Sequence, residues 1–163
     1  MKNKMSKVLK NEKGLTLIEL LAVIVILAII SAIAIPAIGN IIENSRFNAV
    51  KADAINVINA ANLYYTDNPE GQAADATAGG IGATTNTSIT VGQLIATKYL
   101  DNAGKIPNDA TVTLANPRAL TTTTANVIKY SGDKEVKFTS ATIEIINNNK
   151  TKGSADNNKV VEP

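Results

Sequence analysis

The sequence predicts an α+β fold in which one long N-terminal helix packs under a small antiparallel β-sheet. Three observations carry this prediction. The run Leu20–Ile42 contains no charged residue, and apolar residues then recur at helical spacing from Phe47 to Tyr64. The second half of the chain instead shows short alternating segments separated by turn residues such as Ser131-Gly132-Asp133-Lys134. Such segments are typical of antiparallel strands joined by tight turns.

The uncharged run is long enough to cross a membrane. A helix needs about 20 apolar residues to span the hydrocarbon core, and Leu20–Ile42 exceeds that length. Before it stands a basic segment with the lysines Lys2, Lys4, Lys7, Lys10 and Lys13. Since basic flanks stay on the cytoplasmic side, we predict a single span with the N-terminus inside and the C-terminus outside.

An apolar stripe continues the helix beyond the membrane segment. Its members are Phe47, Val50, Ala54, Val57, Ala61 and Tyr64. Their spacing of three and four residues places them on one face of a helix, which predicts that this face packs in the core of the head. The triplet Asp67-Asn68-Pro69 is expected to end the helix, because the residue before a proline disfavours helical geometry.

Pro36 and Gly39 weaken the helix near the end of the apolar run. Pro36 removes a backbone hydrogen bond, and Gly39 costs about 1 kcal/mol relative to alanine in a helix interior. Two interpretations stay open. One is a modest kink, and the other is a helix break in which the segment Ala32–Gly39 unwinds when the chain packs with other copies.

The head is predicted to hold one short helix and four strands. Thr90 and Gln93 form a capping-box pattern at the start of Thr90–Leu100, which predicts the helix. The strands are predicted at Thr111–Ala115, Asn126–Tyr130, Glu135–Thr139 and Thr142–Ile146, in a meander. The segment Asn147–Pro163 is polar and is predicted to be a mobile tail.

Composition excludes several classes of function. The chain has 163 residues with no histidine, cysteine or tryptophan, which removes Ser-His-Asp and Cys-His catalysis and His/Cys metal sites. We therefore predict no enzymatic activity, no cofactor and no metal. The net charge of +2 combines +4 in residues 1–14 (five lysines and Glu12) with −2 in residues 15–163 (11 basic and 13 acidic side chains), so the remainder is weakly acidic and nucleic acid is not expected as a primary partner.

The stretch "KGLTLIELL", Lys13–Leu21, resembles the cleavage and methylation motif of type IV prepilins. In that motif a glycine, a hydrophobic residue, a threonine and a glutamate open a long apolar helix, and Gly14, Leu15, Thr16 and Glu19 fall in the same register. Leu15 departs mildly from the motif, where Phe or Met is commoner, but it keeps the hydrophobic character.

The resemblance implies the pilin fold and a division of the chain. Residues 1–14 would be a cleaved basic leader, 15–42 the transmembrane and filament-core helix, 43–149 the globular head and 150–163 a polar tail. A prepilin peptidase and methyltransferase would cut between Gly14 and Leu15 and methylate the new Leu15 amine. The short helix with its "L…YL" pattern is also similar to pilins of Gram-positive bacteria, and the single head favours a major pilin.

The function that this resemblance implies is structural. The chain would be anchored in the cytoplasmic membrane as a precursor and would then polymerise into a helical homopolymer, an extracellular type IV pilus. An assembly platform and an ATPase would be further partners. Filaments of this class serve in twitching motility, adhesion, aggregation and DNA uptake. A helical filament is the expected product of a head-to-tail contact that does not close.

Glu19 raises a physical question because a carboxylate is costly near a membrane interior. One interpretation is an acid in the first helical turn, where the helix dipole favours it. The resemblance favours another, in which Glu19 pairs with the methylated Leu15 amine of a neighbouring subunit. Thr16 would then either hydrogen-bond at that contact or serve as a first-turn hydroxyl.

Alternatives to a pilus subunit remain. A pseudopilin of type II secretion or a competence pilin would carry the same motif. A membrane-anchored surface binding protein would keep residues 1–14 and form no filament. A secretory signal peptide, with Ala32-Ile33-Ala34 as its cleavage site, is disfavoured because the apolar run is too long and lacks a polar end.

Overall fold

The structure of the protein is a computed structural model that describes residues 16–69, 87–123, 127–155 and 158–163. The chain forms two compact units, Met1–Gly39 and Asn40–Pro163. Within the first unit the described residues are Thr16 and the part of one helix that begins at Leu17. The second unit, which we call the head from here on, contains the remainder of that helix, two further helices and six strands among the residues described.

The first helix, α1, extends over 51 residues, Leu17–Asp67. It ends where the sequence predicts, because Asn68 and Pro69 follow. The Asn68 backbone N–H and the Asn68 side-chain amide both donate to the Tyr64 carbonyl, at 2.9 and 3.0 Å. These bonds satisfy a carbonyl that would lack an intrahelical partner at a helix end.

The predicted apolar stripe of α1 is buried in the head. All six predicted members are buried, and the structure adds three more. The buried residues of the helix are Phe47, Val50, Ala54, Val57, Ile58, Ala60, Ala61, Tyr64 and Tyr65. Burial of this face against the strands makes the head an α+β unit, as the sequence predicts. Tyr65 also donates its hydroxyl to the Val112 carbonyl at 3.0 Å, which ties the helix to a strand.

The first sheet has three antiparallel strands in the order β1, β2, β3. Their bounds are Ser88–Thr90 for β1, Thr111–Thr113 for β2 and Leu120–Thr121 for β3. Ile89 lies opposite Val112, and Val112 lies opposite Leu120. These three apolar residues therefore share the buried face of the sheet.

The second helix, α2, covers Val91–Ala96 and begins with the predicted capping box. The Gln93 backbone N–H donates to the Thr90 hydroxyl at 3.2 Å, and the Thr90 N–H donates to the Gln93 side-chain oxygen at 2.8 Å. Val91 and Leu94 are fully buried beneath it. The reciprocal bonds satisfy two backbone donors at the start of the helix.

The second sheet combines a predicted hairpin with an unpredicted strand. Strand β4, Ile128–Ser131, and strand β5, Lys134–Phe138, are antiparallel and joined by the predicted turn, in which Gly132 has φ 54°. Strand β6, Asn158–Val161, pairs with β5 in parallel. The prediction of an all-antiparallel meander is therefore wrong for this sheet.

Two further predictions about the C-terminal region are wrong. The predicted strand Thr142–Ile146 is a helix, α3, over Ile143–Asn148, with Thr142 as its N-cap. The predicted mobile tail contains β6, in which Lys159 and Val161 are buried. The tail is ordered there because its alternate residues complete the core, which a polar composition does not reveal.

Backbone bonds join the two sheets. Leu120 of β3 and Ala141 form a reciprocal pair of 2.9 Å bonds, and Thr122 donates its N–H to the Phe138 carbonyl at 2.9 Å. The Thr122 hydroxyl accepts the Phe138 N–H at 3.0 Å. Thr122 is buried, so these bonds satisfy a polar side chain within the core.

Candidate assembly site

Thr16, directly before α1, and Glu19, in the first turn of α1, are in a reciprocal arrangement. The Thr16 backbone N–H and hydroxyl donate to Glu19 Oε2 at 2.7 and 2.9 Å, and the Glu19 N–H donates to the Thr16 hydroxyl at 3.2 Å. This is the pattern of a capping box, since the two side chains satisfy backbone donors at the helix start. Within a single chain, Glu19 is therefore an acid in the first helical turn and Thr16 is its hydrogen-bonding partner.

The second carboxylate oxygen of Glu19 stays open. Both residues are exposed, and within the described residues no donor contacts Oε1. A carboxylate has lone pairs for several donors, so the local bonds to Oε2 leave capacity for one more cation. Gly14 and Leu15, the predicted processing site, lie outside the described residues.

The apolar half of α1 is uncovered. Its large hydrophobic side chains from Leu17 to Ile42 are between 46% and 89% exposed. Among the described helices, α1 is the one long and apolar enough to cross a membrane. A continuous apolar surface of this kind requires lipid or other apolar helices around it.

Pro36 and Gly39 lie inside the helix and do not end it. The helix continues from Leu17 through both residues to Asp67. A Cβ placed on Gly39 would meet no atom within 4 Å, so packing inside the single chain does not require glycine there. The prediction that Ala32–Gly39 unwinds concerns an assembled state and stays a prediction.

A segment that the sequence did not predict packs against α1 just after the apolar run. We call residues 149–155 the C-terminal strap. Its Gly153 lies directly against α1, where an added Cβ would be 2.7 Å from the Phe47 Cβ and 2.9 Å from the Asn44 Cα. The Ser154 N–H donates to the Asn44 side-chain oxygen at 3.0 Å. The strap therefore packs on the first turns of the helix that follow the apolar run.

Side chains from three elements hold the strap carbonyls. Lys51 donates to the Asn149 carbonyl at 2.8 Å, and Tyr130 donates to the Gly153 carbonyl at 2.7 Å. Lys134 donates to the Ser154 carbonyl at 2.8 Å. Burial lowers the pKa of the Lys51 ammonium, because desolvation disfavours its charged form. The strap is thus held through its backbone carbonyls. Because every residue carries a carbonyl, the amino-acid composition of the strap does not predict these bonds.

A partly buried ion pair lies beside the C-terminal strap. Lys134 Nζ lies 2.8 Å from Glu43 Oε2, with 19% and 26% of the two side chains exposed. Glu43 is the first charged residue after the apolar run. The sequence does not identify Lys134 as the partner of Glu43, because the two residues are 91 positions apart in the chain.

No cluster of three metal-binding side chains of the His, Cys, Asp or Glu type occurs in the part of the chain that the structure describes. The described polar groups of the N-terminal site are hydroxyl, carboxylate and backbone amide. These groups suit hydrogen bonding and ion pairing at a contact between chains.

Comparison with known families supports the N-terminal interpretation. Residues 9–35 match the family described as the prokaryotic N-terminal methylation motif. The matched segment includes Gly14, Leu15, Thr16 and Glu19 and continues into the apolar half of α1. No curated protein and no solved structure matches the chain.

The chain therefore carries a prepilin-type methylation motif followed by a long apolar helix. This combination supports a type IV pilin-like or pseudopilin precursor, anchored in a membrane by that helix and processed by a prepilin peptidase. A non-enzymatic, structural class of protein is consistent with the motif.

Proposed function

We propose that the chain is a structural subunit of a type IV pilus-like filament. A prepilin peptidase hydrolyses the peptide bond between Gly14 and Leu15 on the cytoplasmic side, and the released Leu15 amine is methylated. The methylation motif in register with an uncovered apolar helix carries this proposal. The membrane holds the helix of the precursor, and the helices of other subunits replace the lipid after assembly.

Glu19 is proposed to set the register between neighbouring subunits. Cleavage creates a cationic amine on Leu15. In apolar surroundings this amine and a carboxylate stabilise each other as a pair, whereas either charge alone would be buried without a partner. Oε2 is engaged by Thr16, whereas Oε1 is open to the amine of a second chain. Thr16 then serves as a positioning residue, because its two donors orient the Glu19 carboxylate.

The proposed machinery is what the resemblance to type IV prepilins implies. With the leader inside and the head outside, an assembly platform and an ATPase would extract subunits from the membrane and add them to the base of an extracellular filament. Unwinding near Pro36 and Gly39 would let the apolar part of α1 change direction, so that it could pack against the helices of neighbouring subunits. Each of these steps uses the apolar helix as the assembling element and the head as the outer surface.

Replacing Glu19 with glutamine separates its local role from its ionic role. Gln also serves as the partner in a capping box, so Glu19→Gln retains the bonds to Thr16 and loses the charge. Breaking a buried ion pair by removing one charge costs about 3 kcal/mol or more, which corresponds to more than about 100-fold weaker subunit addition. We expect normal membrane insertion and loss of sheared filaments from cells that express Glu19→Gln.

The control is Thr16→Ala, which removes the hydroxyl but keeps the Glu19 charge. It should reduce filament yield less than Glu19→Gln does. A normal filament yield for Glu19→Gln would refute the ionic pair, and an equal defect in membrane insertion would assign Glu19 to the precursor stage instead.

Analysis of the mature N-terminus separates the classes of protein. An N-methylated Leu15 supports the pilin class, and an intact leader supports a membrane-anchored surface binding protein. A pseudopilin or competence pilin, the alternatives that would carry the same motif, would share the methylated Leu15. Electron microscopy of surface filaments in a deletion strain distinguishes a pilus subunit from these relatives.

A further inference from the structure

The C-terminal strap forms one wall of a cleft at the base of the head. The opposite wall is α1, which contributes Asn44 and Asn48, and the strap contributes Asn149, Lys150, Thr151 and Lys152. The cleft is open to solvent and has a volume of about 340 Å³. Gly153 and the bonds of Lys134, Tyr130 and Ser154 hold the strap in place, so its lysines are carried on an ordered segment.

The described lining of the cleft presents cationic and neutral donors. None of the lining residues within the described ranges is acidic, and Lys150 and Lys152 are exposed. In the described ranges neither ammonium contacts an acceptor, and the adjacent acid Glu43 is already paired with Lys134. Lysine ammonium groups and side-chain amides together suit the oxygens of a phosphate.

The cleft also lies at a defined distance from the end of the apolar run. Asn44 and Asn48 follow Ile42 by two and six residues on the same helix. A rise of 1.5 Å per residue places them about 3 and 9 Å beyond the apolar end. The headgroup layer on each side of a bilayer is about 5–8 Å thick, so a hydrocarbon core that ends at Ile42 would leave Asn44 and Asn48 within about that distance along the helix.

We propose that this cleft binds the phosphate of an anionic lipid headgroup at the membrane surface while the precursor is anchored. The inference rests on membrane anchoring by α1 and not on filament assembly. Each lysine near an anionic membrane surface contributes about fivefold in affinity, so Lys150 and Lys152 together give about a 25-fold preference for anionic over neutral lipid.

The test uses hydrogen exchange of the full-length protein in nanodiscs. One set contains neutral phosphatidylcholine, and the other adds anionic phosphatidylglycerol. We expect slower exchange of the strap amides in the anionic set, and loss of that difference at high salt because screening weakens exposed charge pairs. The double variant Lys150→Gln/Lys152→Gln should show no difference between the two sets.

A matched control has the same change of charge outside the cleft. Lys98→Gln/Lys129→Gln replaces two exposed lysines that do not line the cleft and should retain the protection. Equal strap exchange in both lipids, or protection that survives Lys150→Gln/Lys152→Gln, would overturn the proposal. Protection by inorganic phosphate in neutral nanodiscs, equal to that from phosphatidylglycerol, would overturn the lipid as the ligand source. Failure of the chain to insert into nanodiscs would overturn the anchoring on which the inference depends.

Discussion

Replacing Gly153 with alanine is expected to loosen the C-terminal strap from the head helix. The added Cβ would meet the Glu43 carbonyl oxygen and lie 2.7 Å from the Phe47 Cβ and 2.9 Å from the Asn44 Cα. All three atoms belong to the helix backbone or to a Cβ. No change of rotamer moves them, so the strap itself must shift.

The shift has a cost that can be approximated from the contacts it disturbs. Overpacking in a close-packed region costs about 1–3 kcal/mol. Movement of the strap also weakens the bonds from Tyr130 to the Gly153 carbonyl and from Ser154 to Asn44, each worth about 1 kcal/mol. We expect the free energy of unfolding of the head to fall by about 2–4 kcal/mol. With a urea dependence of about 2 kcal/mol/M, the unfolding midpoint falls by about 1–2 M.

Urea titration of the full-length protein in nonionic detergent measures this change. Tyrosine fluorescence reports the head, because the chain has no tryptophan and its four tyrosines, Tyr64, Tyr65, Tyr99 and Tyr130, all lie there. The control is Gly39→Ala, where a Cβ meets no atom within 4 Å and the head midpoint should stay unchanged. If Gly153→Ala unfolds at the same urea concentration as this control, the strap is not held against the helix as described.

Two further predictions concern the head. Burial raises the pKa of Tyr65 to about 12. The unfolded chain has an ordinary tyrosine pKa near 10, so the stability contributed by neutral Tyr65 is complete below pH 10 and is lost as pH rises towards 12. Urea midpoints measured across that interval should decline less steeply for Tyr65→Phe, and an equally steep decline would contradict the assignment. Thr90→Ala removes the side-chain half of the α2 cap, and a loss of about 1 kcal/mol is expected in the same titration. Gln93→Ala should have a comparable effect, whereas unchanged midpoints for both would show that the cap is dispensable.

Local patterns predicted the features that depend on neighbouring residues. The apolar stripe of α1, its end before Pro69 and the capping box at Thr90 and Gln93 are all present. Each is encoded in the spacing of residues a few positions apart along the chain. The turn at Gly132 is predictable for the same reason, since a positive φ suits glycine in a tight hairpin.

Short segments with mixed signals were misassigned. Ile143 and Ile145 alternate with Glu144, which favours a strand over five residues. In the structure the Ile145 N–H donates to the Thr142 hydroxyl at 3.3 Å, and Ile146 is buried one helical turn after Thr142. A threonine cap and an acid in the first turn were helix signals that the alternation concealed.

The candidate assembly site was recognisable from its motif, but its internal geometry was not. The spacing of Gly14, Leu15, Thr16 and Glu19 gave the resemblance, and the family match covers the same residues. The bonds from Thr16 to Oε2 show which oxygen is engaged locally and which is open. That distinction motivates Glu19→Gln as the informative variant.

The sequence by itself determined the methylation motif, the apolar helix and the buried stripe, because each is a periodic or contiguous pattern. Only the tertiary structure decided the strap, the parallel strand β6 and the lysine-bearing cleft. Lys134 and Glu43 are 91 residues apart, and Ser154 and Asn44 are 110 apart. Contacts at such separations depend on how the whole head folds. In addition, the donor to Asn44 is the backbone N–H of Ser154, a group that does not depend on the type of side chain.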